Sequence, residues 1–106
     1  MASGILGQAA LSATTDTTVY TVPSSTLAIV NINVVNRSSS TAASVRVALA
    51  STATPQTSEY IEYDASIPSN GVLERSGLAL NAGERVIIYA STANCSVSVY
   101  GLEQTV

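Results

Sequence analysis

The chain contains no histidine, lysine, phenylalanine or tryptophan, and it has a single cysteine, Cys95, among its 106 residues. Without histidine, the usual general base near neutral pH, a Ser-His or Cys-His nucleophile cannot be assembled within one chain. The missing lysine excludes a Ser-Lys pair, and the four arginines form no basic cluster of the kind that binds nucleic acid. One cysteine excludes an internal disulfide and a cysteine-rich metal site. Carboxylate chemistry is the one route to catalysis that remains, and we expect no enzyme activity, no cofactor, no metal and no nucleic-acid partner.

Charge is scarce as well. Charged residues make up 10% of the chain, against about 25% in an ordinary soluble domain. Serine, threonine and alanine take their place, and a neutral exterior of small residues costs little free energy to desolvate when another subunit covers it. This composition favours a protein that packs against other subunits, although a merely inert exterior has the same composition. The positive mean hydropathy of +0.33 argues against disorder.

The first sixteen residues differ from the remainder. Residues 1–16 are rich in glycine, alanine, serine and threonine, and after Met1 their large apolar side chains are Ile5, Leu6 and Leu11. The segment lacks the positive charge and the long apolar run of a signal peptide or membrane span. We expect an extended N-terminal arm over 1–16, whose Ile5 and Leu6 dock on a neighbouring subunit, with simple fraying as the alternative.

From Thr17 onward the sequence alternates between β-rich runs and turn residues. In the run 27–36, for example, Val30, Ile32 and Val34 alternate with asparagines, which is the period-two pattern of a half-buried strand. Seven strands are predicted in this way: 17–22, 27–36, 44–50, 60–64, 72–80, 85–90 and 96–103. The prediction for 17–106 is one all-β domain, a two-sheet antiparallel sandwich of about seven short strands. A jelly-roll-like and an immunoglobulin-like topology fit equally well, and an open barrel is a third arrangement.

The acidic run 59–64 is the best candidate for chemistry. A regular strand would place Glu62 and Asp64 on one face, about 6.5 to 7 Å apart along the backbone, within the range of inverting glycosidases. Any two acids at this spacing have that separation, so solvated or arginine-paired carboxylates are the ordinary interpretation. A hard-cation site such as calcium is a further alternative, which needs more oxygen ligands from Asp16, Glu84 or Asn70. The same regular strand puts Tyr60 and Tyr63 on opposite faces, so that only one of them belongs to the core.

Exposed tyrosines and arginines are common interface anchors. We therefore expect interface residues at Tyr60, Tyr63 and Tyr100, with margin packing as the alternative for each. Arg46 can pair with an acid inside the subunit or across an interface and so register neighbours. Together with Ile5 and Leu6 these are the candidate site residues. Cys95 is expected to be a small packed side chain.

Six segments carry a resemblance to a known group of proteins. They are LGQA at 6–9, TTVYTVP at 17–23, VVNR at 34–37, VRVA at 45–48, YIEYD at 60–64 and LNAGERV at 80–86. Together they resemble small virion structural proteins of tailed bacteriophages, including phages of marine bacteria and cyanobacteria. Relatives tend to have Ala-Gly after the proline of the second segment, where this chain has Ser24 and Ser25.

The resemblance implies a non-enzymatic particle component present in many copies. Capsid decoration, or cement, is the leading expectation, with the chain acting as a homo-oligomer, of which a trimer is one form. Its partners would be its own copies and other virion proteins, without a membrane, and it would be made in the host cytoplasm and reside in the virion. The alternative is a tail, baseplate or fibre module that binds a host receptor or carbohydrate.

Overall fold

The computed structural model describes residues 2–106, in which eight β-strands and one turn of 3-10 helix follow each other. The strands are β1 (Ser3–Ala10), β2 (Thr17–Thr21), β3 (Thr26–Asn36), β4 (Ala43–Ala50), β5 (Tyr60–Ile67), β6 (Val72–Leu80), β7 (Arg85–Ala90) and β8 (Cys95–Thr105), and the helical turn is Thr57–Glu59. No α-helix occurs in residues 2–106, so no helix there is long and apolar enough to cross a membrane.

The strands form two antiparallel sheets of four strands each. Sheet A has the order β1-β8-β3-β6 and sheet B the order β2-β7-β4-β5. Every connection along the chain passes from one sheet to the other except β4 to β5, which are neighbours in sheet B. This is the strand order of an eight-stranded jelly roll. The all-β sandwich expected from the alternating pattern is confirmed, and of the three arrangements left open the jelly roll is the one adopted.

The chain has eight strands where seven were expected, because the segment 1–16 contributes one. Strand β1 pairs antiparallel with β8 from Ser3 opposite Leu102 to Ala10 opposite Ser96. Leu11, just beyond β1, is only 3% exposed. At Gly7 an added Cβ would lie 2.3 Å from the carbonyl oxygen of Val19, so β1 and β2 approach too closely there for a side chain. The division into an arm and a domain of 17–106 stays a prediction, and Met1 lies outside the described residues.

The core between the sheets is aliphatic, as the composition indicates. Alternate residues of β3 (Val30, Ile32, Val34) and of β4 (Val45, Val47) are fully buried and face each other across the sandwich. Their β-branched side chains are stiff and suit the pleated surface. Cys95 is buried in the same cluster, as expected for a packed residue.

One polar side chain, Asn36, is fully buried at the end of β3. Its amide nitrogen donates to the carbonyl oxygens of Thr41 (2.8 Å), Ile67 (3.2 Å) and Pro68 (3.3 Å), and its Oδ1 accepts from the backbone of Ser38 at 3.1 Å. These bonds satisfy a buried amide that would otherwise be costly. Asn36 thereby holds the β3–β4 and β5–β6 connections together.

Candidate functional site

Strand β5 is irregular, and its irregularities decide which side chains reach the surface. Opposite Val45, Val47 and Ala48 of β4 stand Ala65, Glu62 and Tyr60, so β5 advances by an extra residue at two places. Asp64, at φ 53°, lies in the first of these bulges. A bulge reverses the inside-outside alternation of a strand. Residues that a regular strand would separate are therefore placed on one face.

The prediction that Tyr60 and Tyr63 lie on opposite faces is wrong for this reason. Both rings stand on the outer face of sheet B, edge to face, with their centroids 5.0 Å apart and an interplanar angle of 87°. Tyr60 also packs against Ala48, Ala50 and Ile87, a small apolar cluster on that outer face. Tyr63 is 59% exposed, so the pair presents one supported ring and one open ring.

The expected pairing of Glu62 with Asp64 on one face is also wrong. The bulge sends the two carboxylates to different partners: Glu62 forms an ion pair with Arg75 of β6, whereas Asp64 pairs with Arg46 of β4. The Glu62 side chain is 14% exposed and that of Asp64 48%. Because β5 and β6 are edge strands of different sheets, the first ion pair joins the two sheets along one open side.

Arg46 occupies the centre of the outer face of sheet B. Its guanidinium carbon lies 4.3 Å from the ring centroid of Tyr63 and 4.4 Å from that of Tyr89. Its Nε donates to Asp64 Oδ1 at 2.7 Å, and this hydrogen bond raises the pKa of Arg46 above its usual value. A planar guanidinium is suited to such stacking, which a lysine ammonium does not reproduce. We call Arg46, Tyr60, Tyr63, Asp64 and Tyr89 the tyrosine–arginine surface.

A depression of about 540 Å³ adjoins this surface and is lined by Pro55, Thr57, Tyr60 and Tyr63. The loop that forms its wall is tied down by Glu59, whose carboxylate accepts from the backbone of Gln56 at 2.8 Å and of Ser51 at 3.0 Å. These two backbone donors lower the pKa of Glu59. The depression is therefore a preformed feature with aromatic and polar walls.

The outer face of sheet A is different in character, and we call it the neutral face. Its outward residues come from four strands: Ser3, Ile5, Gln8 and Ala10; Ser96, Ser98, Tyr100, Leu102 and Gln104; Leu27, Ile29, Asn31, Asn33 and Val35; Val72, Glu74 and Ala79. Glu74 is the one charged side chain in this set. Ile5, Leu102 and Val72 are each about half exposed, at 60%, 47% and 50%.

The six candidate residues thus fall on two surfaces and in one packed position. Arg46, Tyr60 and Tyr63 belong to the tyrosine–arginine surface, and Ile5 and Tyr100 are cross-strand partners on the neutral face. Leu6 packs against the core. Their role in an interface stays a prediction. Tyr89 is absent from the candidates chosen from the sequence, yet it is the strand partner of Arg46. Correct pairing of the strands 44–50 and 85–90 would have placed it here.

Few of the described side chains could support catalysis or bind a metal ion. Residues 2–106 contain no cluster of three or more His, Cys, Asp or Glu side chains that could hold a metal ion. Burial raises the pKa of the Cys95 thiol, which disfavours the reactive thiolate. What the two outer faces offer is aromatic, guanidinium and neutral contact area.

Comparison with known proteins gives one solved structure to report. No protein-family model and no curated protein sequence matches the chain. A pentameric capsid protein isolated from metagenomic phage sequences is similar over 97% of this chain, with 17% sequence identity and a TM-score of 0.42. The chain spans 60% of the length of that protein.

Proposed function

We propose that this protein is a non-enzymatic structural component of a phage particle that decorates or cements a larger shell as a homo-oligomer. The observation that carries the proposal is the strand order, 1-8-3-6 packed on 2-7-4-5, which is the jelly roll found in viral capsid domains and in lectins. The resemblance of the sequence to small virion proteins supports the same reading. A fold does not determine a function by itself. The proposal therefore also depends on the two outer faces, which would contact other proteins of the particle.

The tyrosine–arginine surface is the proposed contact with other virion proteins. Tyrosine and arginine supply a large share of the binding energy in protein interfaces. Here the stacking on Tyr63 and Tyr89 and the ion pair with Asp64 already hold Arg46 in place. Because its conformation is restricted before binding, less side-chain entropy is lost when a partner covers it. Arg46, Tyr60 and Tyr63 are the residues we expect such a partner to touch.

The N-terminal strand and the neutral face are the proposed contacts between copies. Ile5 and Tyr100 lie side by side on sheet A, and Leu6 anchors the same strand to the core. Almost no charge has to be removed from water when this face is covered, so its desolvation is inexpensive. The separation of Glu62 from Asp64 supports a non-enzymatic role, because it removes the carboxylate pair that offered the best alternative.

The depression beside Tyr60 and Tyr63 favours a second candidate, a tail or fibre module that binds a host receptor or carbohydrate. Lectins also use the jelly roll, and tyrosine rings beside polar groups can stack on a sugar. This candidate predicts specific binding on a glycan array that Tyr63→Ala abolishes. The leading proposal predicts no such binding.

Particles that lack the protein provide the test. Purified chain is added back to them, and the bound copies are counted after sedimentation. We expect saturable binding of the wild type, at least roughly tenfold weaker binding of Tyr63→Ala, and unchanged binding of the control Ser40→Ala in the exposed loop after β3. Failure of the wild type to sediment with the particles contradicts the proposal.

A further inference from the structure

The side chains of the neutral face are arranged in rows that differ in polarity. In the rows that run across sheet A from β1 to β6, one row reads Ser3, Leu102, Ile29, Ala79 and another reads Gln8, Ser98, Asn33, Glu74. The first row is largely apolar and the second is polar. Between them lies the row of Ile5, Tyr100 and Asn31.

We propose that a second copy of the chain docks on this face, related by a two-fold axis that runs parallel to the strands between β8 and β3. Such an axis places β1 over the partner's β6 and β8 over the partner's β3, with every row facing its own copy. Leu102 then covers Ile29 of the partner subunit, and Ser98 faces Asn33 of the partner subunit. At the centre of the face apolar groups thus meet apolar groups, and polar groups meet groups that can hydrogen-bond. At its two ends the match is mixed, because Ser96 faces Val35 of the partner subunit and Gln104 faces Leu27 of the partner subunit.

The distribution of charge also favours a second copy of the chain as the partner. The chain carries a net charge of −3, so two copies repel each other unless they meet where acids are few. The neutral face has only Glu74, which the axis places over Gln8 of the partner subunit, whose amide can donate to the carboxylate. A strongly basic partner would find little negative charge to pair with on this face. A second copy, which presents the same nearly uncharged surface, is the better match.

The direction of the axis follows from the row pattern. A two-fold axis across the strands, through the Asn31 row, would instead lay Ile29 on Asn33 of the partner subunit and bury apolar against polar side chains. Both axes keep the strands of the two sheets aligned, and the axis along the strands is preferred because it avoids this mismatch at the centre of the face.

The size of the face sets the expected strength. Four strands about 4.8 Å apart and roughly nine residues long cover on the order of 500 Å² in projection. Two copies would bury on the order of 1,000 Å² in total, near the lower limit for a specific interface. The isolated pair should therefore be weak and concentration dependent, and the high local concentration within an assembly would favour it.

Sedimentation of the purified chain tests the pairing. We expect a monomer–dimer equilibrium at concentrations up to roughly 1 mM, weakened at least roughly tenfold by Leu102→Glu. Ser40→Glu makes the same change of charge at an exposed position in the loop after β3, and it should dimerise like the wild type. Circular dichroism confirms that both variants are folded. A wild type that stays monomeric, or a folded Leu102→Glu that dimerises normally, overturns the inference.

Crosslinking tests the axis. Gln8 and Glu74 are three strand spacings, about 14 Å, apart within one copy, but the axis brings each close to the other residue of the partner. Gln8→Cys chains mixed with Glu74→Cys chains should form dimers with a bismaleimide shorter than that separation, and neither chain alone should. Buried Cys95 serves as the unreactive background. Crosslinking of either chain alone, without a gain on mixing, contradicts the axis.

This inference rests on the homo-oligomer of the proposed function and gives it a specific contact. The two can fail separately. A monomeric chain that is present in purified particles removes the pairing alone, whereas a dimer that is absent from particles removes the virion role alone.

Discussion

The guanidinium carbon of Arg46 lies 4.3 Å from the ring centroid of Tyr63. This contact joins β4 to β5 next to the two register shifts of that strand pair. Arg46 belongs to a regular part of β4, whereas Tyr63 reaches it only because β5 carries extra residues. The contact contributes modestly to folding, since the Arg46 side chain is 27% exposed and exposed pairs contribute about 0–1 kcal/mol. Its main effect is to fix the shape of the tyrosine–arginine surface.

Replacing Arg46 by lysine tests that view. Arg46→Lys keeps the charge but loses the planar stacking on two rings. We expect the free energy of unfolding to change by less than about 1 kcal/mol, while add-back binding to particles falls at least tenfold, on the order of 1.4 kcal/mol. Arg37→Lys, at an exposed arginine that donates to the carbonyl of Ala93, is the matched control for both measurements. Equal binding by the two variants would show that the stacked arginine is not part of the contact.

Asn36 should be the most sensitive polar position in the core. Asn36→Ala removes the buried donor to the carbonyls of Thr41, Ile67 and Pro68, of which the Pro68 carbonyl keeps the backbone N–H of Gly71 at 2.9 Å. We expect a loss of about 1–3 kcal/mol, measured by urea unfolding at low protein concentration. Asn33→Ala, in the same strand on the neutral face, should lose less than about 0.5 kcal/mol. Similar losses for both variants would mean that the buried network contributes little.

Tyr20 connects the two sheets at the other end of the sandwich. Its hydroxyl donates to Glu103 Oε2 at 2.5 Å, and burial, then this hydrogen bond, raises the pKa of Tyr20. Tyr20→Phe should cost about 1.5–3 kcal/mol, the usual range for a bond to a charged group, and Tyr63→Phe at an exposed ring should cost almost nothing.

The pH dependence of the Tyr20 contact follows from the direction of its pKa shift. A raised folded-state pKa gives stability that is complete below the unfolded value of about 10 and is lost as the pH rises through the folded-state pKa. The wild type should therefore lose more stability than Tyr20→Phe between pH 9 and stronger alkali, as denaturant midpoints would show. Parallel pH curves for the two proteins would refute the assignment.

Glu59 makes the opposite prediction at acidic pH. Its lowered pKa, caused first by the backbone N–H of Gln56 and then by that of Ser51, stabilises the loop at pH values above the ordinary 4.5. That contribution is lost as the pH falls through the lowered value. The amide NMR signals of Ser51 and Gln56 should titrate together, with a midpoint below 4.5, and Glu59→Gln should remove the titration. A midpoint at or above 4.5 would contradict the hydrogen bonds.

The regular strands could be predicted from the sequence because their cores alternate strictly. In β3, the buried positions Val30, Ile32 and Val34 are separated by single outward residues, and this pattern alone identifies the strand and its inward face. Strand β1 could not be predicted in the same way. Its large apolar side chains are only Ile5 and Leu6, and Gly7 interrupts the pattern. The strand forms because it pairs with β8, which is distant in the sequence.

The tyrosine–arginine surface depends on features that a single sequence does not display. The positive φ of Asp64 and the two register shifts of β5 are set by pairing with β4, and no glycine marks them. Without these bulges the alternation of 60–64 gives the wrong faces for Tyr60, Tyr63 and Asp64. The sheet order has the same origin, since it depends on contacts between distant strands that turn signals do not specify.

The most direct test of the central claim is a count of this chain in purified virions. Particles banded on a density gradient are analysed by quantitative mass spectrometry, and a reconstruction locates the additional density. We predict many copies per particle, in a symmetric arrangement on the shell, with the tyrosine–arginine surface turned toward another virion protein. Absence of the chain from purified particles, with the protein recovered only in the soluble lysate, would contradict the proposed function.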